Sequence, residues 1–136
     1  MPATGITIFA ALASMTLLIA CSQGDVTLRN GVRGAPTPQS VMVAVAKSMQ
    51  SCWFGKKDPS FRKFKMATEL DSFSGKPRVL IVPINKPTDL PKLVVQAQRI
   101  GGRNQVTSFG PLLQTADGSR IKRDVDRWAR GQTSCA

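Results

Sequence analysis

The chain has 136 residues, with 19 Lys and Arg against 8 Asp and Glu, so its formal net charge at pH 7 is +11. It contains neither His nor Tyr. Without His it cannot build a Ser-His-Asp site, a Cys-His site or a His-ligated zinc site, and the commonest general base is missing. We therefore expect a non-catalytic protein that holds no metal and no cofactor.

The first 21 residues contain an uncharged apolar run from Ile6 to Ile19 that ends in Leu18-Ile19-Ala20-Cys21. A run of about 14 residues suits the hydrophobic region of an export signal, whereas a membrane-spanning helix needs about 20. The segment resembles the signal peptide and lipobox of bacterial lipoproteins, and an ordinary cleaved signal is the alternative. The resemblance covers residues 1–21 alone. It implies removal of residues 1–20 and acylation of Cys21, with fatty acids such as palmitate, as a membrane anchor.

The residue after the cysteine bears on location. In the Gram-negative lipoproteins that this signal resembles, Asp after the acylated cysteine favours the inner membrane; Ser22 therefore implies the outer membrane, on its periplasmic side. All charged side chains follow Cys21, so the positive charge belongs to the exported part. An exported basic domain meets lipid headgroups, lipopolysaccharide phosphates and cell-wall polymers, and nucleic acid is a minor alternative.

Three parts of the chain are predicted. Residues 1–20 form the signal peptide, residues 21–37 the lipidated cysteine and a polar tether with an end-to-end distance on the order of 20 Å, and residues 38–136 a single small domain. If Cys21 carries lipid, Cys52 and Cys135 are the two remaining thiols. In an oxidising compartment we expect them to form a disulfide that closes a loop of about 84 residues.

A helix is predicted from Pro38 to about Cys52. Thr37 is its predicted N-cap, and Gly55 is the residue that stops it. Its predicted apolar face consists of Val41, Val45, Met49 and Cys52. Lys47, Ser48 and Gln50 are expected to lie further outward.

Four strands are predicted in the middle of the chain. Apolar and polar residues alternate over residues 64–71, and the predicted buried side consists of Phe64, Met66, Thr68 and Leu70. The β-branched run of residues 79–82 predicts a more central strand. Residues 93–100 and 105–109 predict a hairpin around Gly101-Gly102.

The last predicted element is a helix over residues 119–130, with Ser119 as its cap and Ile121, Val125 and Trp128 on its inner face. The expected fold is therefore α+β. It comprises an N-terminal helix, a four-stranded antiparallel meander and a C-terminal helix, with both helices on one face of the sheet and the Cys52–Cys135 bridge joining them.

The main candidate binding segment is residues 53–65, in which cations alternate with aromatic rings around Asp58. Its candidate residues are Trp53, Lys56, Lys57, Arg62, Lys63 and Lys65, next to Phe54, Phe61 and Phe64. Cations beside flat apolar surface suit a phosphorylated amphiphile or a polyanion. The alternative is that the rings belong to the core and the cations form a solvated rim.

A second basic surface is predicted on the last helix. It consists of Arg120, Lys122, Arg123, Arg127 and Arg130, and a solvated helix face is again the alternative.

Two SxxK strings begin at Ser60 and Ser119, but the SDN-like and KTG-like elements of serine acyl-transfer enzymes are absent from the sequence. Glu69 and Asp71 are a candidate general acid/base pair, but they share a strand face that is assigned to solvent, which argues against catalysis.

Together these patterns predict a lipid-anchored, basic binding module of the cell envelope. Its expected partner is an anionic envelope polymer, lipid headgroups or an envelope protein complex. A cell-wall enzyme or enzyme inhibitor is the alternative.

Overall fold

The structure, a computed structural model, describes Met1, residues 35–71 and residues 73–135. The predicted signal peptide, Cys21 and most of the predicted tether lie outside the described residues, so the lipobox and the proposed domain boundaries stay predictions. In the described part, no helix is both long and apolar enough to cross a membrane.

Two helices flank four strands. Helix α1 spans Pro38–Met49 and continues as a π-helical turn over Gln50–Gly55. The strands are β1 (Phe64–Glu69), β2 (Arg78–Pro83), β3 (Leu93–Ile100) and β4 (Arg103–Phe109), and helix α2 spans Gly118–Ala129. Short 3-10 turns lie at Pro59–Phe61 and Pro111–Gln114.

The strands form one antiparallel sheet in the order β1-β2-β3-β4. The predicted α+β fold, with its four-stranded meander and its N-terminal and C-terminal helices, is confirmed. In the register, Phe64 pairs with Pro83, Val79 with Val95 and Val94 with Phe109. This register determines which loops share an end of the sheet.

The two ends of the sheet carry different loops. At what we call the proximal end lie the β1–β2 turn and the β3–β4 turn at Gly101-Gly102, together with Pro36. The Pro36 carbonyl accepts hydrogen bonds from Asn104 Nδ2 at 2.6 Å and Arg99 Nη1 at 3.4 Å. The opposite, distal end carries the β2–β3 loop and the start of β1. A six-residue strand is about 20 Å long, which separates the two ends.

Helix α1 begins as predicted and is followed by a wider turn. Ser40 N–H donates to Thr37 Oγ1 at 3.1 Å and Thr37 N–H donates to Ser40 Oγ at 2.9 Å, a reciprocal cap that satisfies two otherwise unpaired amides. The predicted helix to about Cys52 is α-helical only to Met49; it continues as the π-helical turn and stops at Gly55, the predicted end. In this turn Lys56 N–H donates to Ser51 O, five residues back, at 3.1 Å.

The core lies between one face of the sheet and both helices. It includes Val45 and Met49 of α1 and Ile121, Val125 and Trp128 of α2. From the sheet it includes Val79, Ile81, Leu93, Val95 and Ala97. These five residues alternate along β2 and β3, as expected for strands with one buried face. Ser48, predicted to lie outward, is instead buried.

Strand β1 shows a weaker alternation than predicted. Phe64, Met66 and Leu70 are half-buried and pack against the core, whereas Thr68 is exposed. Ala67, on the opposite face, is half-buried like Met66. Because β1 is an edge strand, it has a neighbouring strand on one side only, and Thr68 near its end stays exposed.

Helix α2 begins one residue before the predicted cap. Asp117 occupies the N-cap position and Ser119 is an exposed residue of the first turn, so the prediction of Ser119 as the cap is wrong. The Asp117 carboxylate is occupied elsewhere, because it accepts a hydrogen bond from Ser60 Oγ at 2.7 Å. Gly118 packs tightly: a Cβ there would lie 2.0 Å from the Leu113 carbonyl oxygen.

Cys52 and Cys135 form the predicted disulfide, with their Cα atoms 5.4 Å apart. The bridge joins the π-helical turn to the segment after α2. Two α2 side chains hold the same segment, because Arg127 Nε and Trp128 Nε1 both donate to the Ser134 carbonyl, at 3.1 and 3.0 Å. The C-terminal segment is thus held by one covalent bond and two hydrogen bonds.

We predict that replacing both cysteines, Cys52→Ala with Cys135→Ala, lowers the free energy of unfolding by about 2–5 kcal/mol, because closing a long loop restricts the unfolded chain. The bonded residues are 83 positions apart. Urea unfolding of the oxidised protein, the reduced protein and the double variant measures this. The reduced protein is the matched control. Equal stability of all three would contradict the prediction.

Candidate functional site

The candidate binding segment, residues 53–65, lies at the distal end. Its last residues enter β1, where Phe64 pairs with Pro83, and Ile84 N–H donates to the Lys63 carbonyl at 3.0 Å. The segment turns at Lys57, whose φ of 55° is in the left-handed region. Lys57 N–H closes this turn on the Phe54 carbonyl at 3.0 Å.

Trp53 is a core residue and not a surface anchor. Its exposed fraction is 1%, and its ring stacks on Phe61 with a centroid separation of 4.3 Å and an interplanar angle of 11°. Trp128 packs against it at 5.0 Å. Its Nε1–H donates to Asp124 Oδ2 at 3.0 Å, which satisfies the indole inside the core. Trp53 is therefore buried, as the alternative interpretation of the rings expects, and its part in ligand binding stays a prediction.

An open cavity of about 430 Å³ lies over this aromatic cluster. Phe54 and Phe64, both half-buried, contribute apolar walls, and Lys57 and Arg62 contribute cations. Trp53, Asp58 and Phe61 complete the lining. The other predicted cations, Lys56, Lys63 and Lys65, are exposed outside this lining. The cavity therefore combines apolar walls with two positive charges at its opening.

Asp58, the single acidic residue of the segment, is directed inward. Its carboxylate accepts from Arg120 Nη1 at 2.9 Å and from Ser60 N–H at 2.9 Å. Because Arg120 compensates the charge of Asp58, this carboxylate repels an anionic ligand less than the sequence suggests. The outward electrostatics of the segment are dominated by its lysines and Arg62.

The segment is held on α2 by a buried carboxylate. Asp124 is 2% exposed; besides Trp53, it contacts Arg127 by a hydrogen-bonded ion pair and Arg120 Nη1 at 3.6 Å. Arg120 in turn reaches Asp58 and donates from Nη2 to Ser60 Oγ at 3.2 Å. The network thus connects α2 to both ends of the turn that carries Lys57.

Only part of the second predicted basic surface is fully exposed. Arg120 and Arg127 are half-buried and contact Asp124, which leaves less of their charge on this surface; their part in anion binding stays a prediction. Lys122 is exposed and pairs with Asp126 at 3.0 Å. Arg123 on the helix and Arg130 at its C-cap are exposed as well.

The residues considered for catalysis take part in structural contacts. Ser60 Oγ lies between Asp117 and Arg120, and Glu69 pairs with Arg78 across β1 and β2. Asp71 Oδ1 accepts from Gln39 Nε2 at 2.6 Å. Within residues 35–71 and 73–135, no group of three or more His, Cys, Asp or Glu residues could hold a metal ion.

The distal end also carries exposed apolar side chains next to the segment. Ile84, Leu90 and Phe109 are about half to four-fifths exposed. Beside Leu90, the pKa of Asp89 is held below its ordinary value, first because the Lys92 ammonium donates to the carboxylate, at 3.0 Å, and then because Leu90 N–H does. This end therefore offers both cations and uncovered apolar surface.

The comparisons with known proteins give no family assignment. No protein-family model, no curated protein and no solved structure matches the chain. The candidate site is therefore inferred from its geometry alone.

Sequence reasoning missed the Asp124 network. Its partners Trp53 and Asp124 are 71 residues apart, so no local period indicates their contact. A signal was present on α2 itself, because Arg120 and Arg127 lie four residues before and three residues after Asp124. Opposite charges at these spacings meet on one helix face.

We predict that Asp124→Asn lowers the free energy of unfolding by about 3–5 kcal/mol, because it leaves Arg127 without its partner in a buried ion pair and removes one of the carboxylates around Arg120. Asp126→Asn is the matched control on the same helix. It removes one exposed partner of Lys122 and should cost less than about 1 kcal/mol. Urea unfolding measures both, and equal losses would contradict the assigned role of Asp124.

Proposed function

We propose that this protein is a lipid-anchored, non-catalytic binding module of the bacterial cell envelope, held through Cys21 on the periplasmic side of the outer membrane. Support for the anchor comes from the apolar run of residues 6–19 and the lipobox that ends at Cys21. The disulfide agrees with an oxidising compartment, where such bonds persist.

The observation that carries the binding proposal is the aromatic cavity at the distal end. Phe54 and Phe64 supply flat apolar walls, and Lys57 and Arg62 lie at the opening, while Asp58 is compensated by Arg120. Such a site suits an anionic group joined to an apolar body. The proposed ligand class is a phosphorylated amphiphile, with lipopolysaccharide as the polyanion expected in this compartment.

A protein partner is the second candidate. Ile84, Leu90 and Phe109 are exposed at the same end, and uncovered apolar side chains next to cations are also typical of protein interfaces. The two candidates differ in salt dependence, because exposed charges are screened over about 8 Å at physiological ionic strength whereas apolar contacts are not.

We predict that the mature protein begins at Cys21 and carries acyl chains. Intact-mass measurement of protein extracted from membranes should show the mass of residues 21–136 plus fatty acids. Cys21→Ser should give an unprocessed or soluble precursor, and Ser22→Ala should retain the acyl chains. A mature protein without acyl chains would contradict the anchor.

We predict that Lys57→Gln with Arg62→Gln weakens binding to immobilised lipopolysaccharide by about tenfold at low salt, since each lost cation near an anionic surface removes up to about 1 kcal/mol. The loss should shrink as salt rises. Arg123→Gln with Arg130→Gln is the matched control, because it removes the same charge from exposed positions of α2. Protein extracted from membranes in neutral detergent serves for all variants.

Equal losses in the two double variants would show attraction by net charge alone and contradict a site at the cavity. A wild-type protein that does not bind lipopolysaccharide even at low salt would exclude this ligand. A salt-insensitive partner that requires Leu90 would instead favour the protein candidate.

A further inference from the structure

We infer that the proximal end of the sheet is a surface that contacts anionic lipid headgroups, with Phe73 as its apolar anchor. The inference rests on the proposed function, because the lipid anchor precedes the described domain. It goes beyond that function by assigning the domain an orientation on the bilayer and a lipid-contacting surface separate from the distal cavity.

The chain enters the domain at this end. The Pro36 carbonyl is held by Asn104 on β4 and by Arg99 on β3. Two residues into α1, Gln39 donates to Asp71, just after β1. These contacts fasten the start of the domain to both outer strands of the sheet. A chain that approaches from an anchor at Cys21 therefore reaches the domain at its proximal end.

The same end carries two uncovered apolar side chains. Phe73, in the β1–β2 turn, is fully exposed at 112% of its reference area, and Ile100, at the end of β3, is 51% exposed. An open groove of about 520 Å³ lies beside Phe73, with Leu70, Pro38 and Pro77 in its lining. Neither side chain is part of the core of the domain. Aromatic rings in such positions suit the boundary between headgroups and acyl chains.

Cations surround these apolar side chains. Lys76 lies in the turn that carries Phe73, and Arg99 and Arg103 flank the turn after Ile100. Of the nearby carboxylates, Glu69 pairs with Arg78. Asp71 lines the groove and accepts from the neutral amide of Gln39, which does not compensate its charge, so one carboxylate faces the three cations at this end. Lys and Arg beside exposed apolar groups are the combination by which peripheral proteins bind anionic bilayers.

The distal end also has exposed apolar residues, among them Leu90 at 79%. It lies about 20 Å from the chain entrance, the length of a six-residue strand. Contact of the proximal end with the bilayer points the distal cavity and Lys57 away from the anchoring membrane. The cavity is then open to ligands or partners in the surrounding compartment.

The test uses the acylated mature protein reconstituted into vesicles of phosphatidylethanolamine and anionic phosphatidylglycerol that contain lipid brominated on its acyl chains. Phe73→Trp adds a fluorophore at the proximal end. Leu90→Trp is the matched control, since it also replaces an exposed apolar side chain. The native indoles of Trp53 and Trp128 are 1% exposed and give a constant background.

The added emission of Phe73→Trp should shift to the blue and be quenched several-fold more strongly than that of Leu90→Trp. Adding Lys76→Gln and Arg103→Gln to Phe73→Trp should reduce this quenching at low salt. Quenching of Leu90→Trp that equals or exceeds that of Phe73→Trp would overturn the inference. Unchanged background emission shows that each variant has kept its core.

Vesicle flotation separates the two proposals. If the protein floats with the vesicles and Phe73→Trp is not quenched, the anchor stands and the orientation is wrong. If the protein does not float at all, the proposed lipid anchor is wrong, and the membrane-contacting surface is overturned with it.

Discussion

Asp124 brings a carboxylate into the core, and a buried carboxylate is destabilising unless cations and hydrogen-bond donors surround it. Here the donors come from two parts of the chain: Arg127 and Arg120 from α2 itself, and Trp53 from the π-helical turn. The requirement to satisfy this one group restricts how the turn can lie on α2. Because Arg120 continues to Asp58, the same restriction determines the course of the candidate binding segment.

This network also determines which charges of the domain are paired and which remain exposed. Asp58, Asp117 and Asp124 all contact Arg120, so three carboxylates are gathered around one guanidinium. Lys57 and Arg62 remain at the opening of the cavity. The surface of the candidate site is therefore more positive than the local composition indicates, and the aromatic cluster beneath it is fixed to α2 because Trp53 is hydrogen-bonded to Asp124 and stacked on Phe61.

The sequence predicted most of the fold, because helices and strands leave local periods. The apolar spacing of Val45 and Met49, and the β-branched runs of β2 and β3, correspond to buried faces in the structure. The cysteine count predicted the disulfide. Prediction failed where a contact depends on a distant partner: the bond between Trp53 and Asp124 left no local pattern, and Asp117 accepts from Ser60 instead of capping α2 with its side chain. For the same reason, exposed cations were foreseen in the candidate site but the cavity that they border was not.

The span of the disulfide has a consequence for the order of events during biogenesis. The chain between Cys52 and Cys135 contains all four strands and α2. Because a chain is synthesised from its amino terminus, the Cys52–Cys135 bond can form only after the whole sheet has emerged. Until then Cys52 lacks its native partner and is open to disulfides with other thiols. Formation of this bond is thus a late event, possible only once the whole sheet has been synthesised.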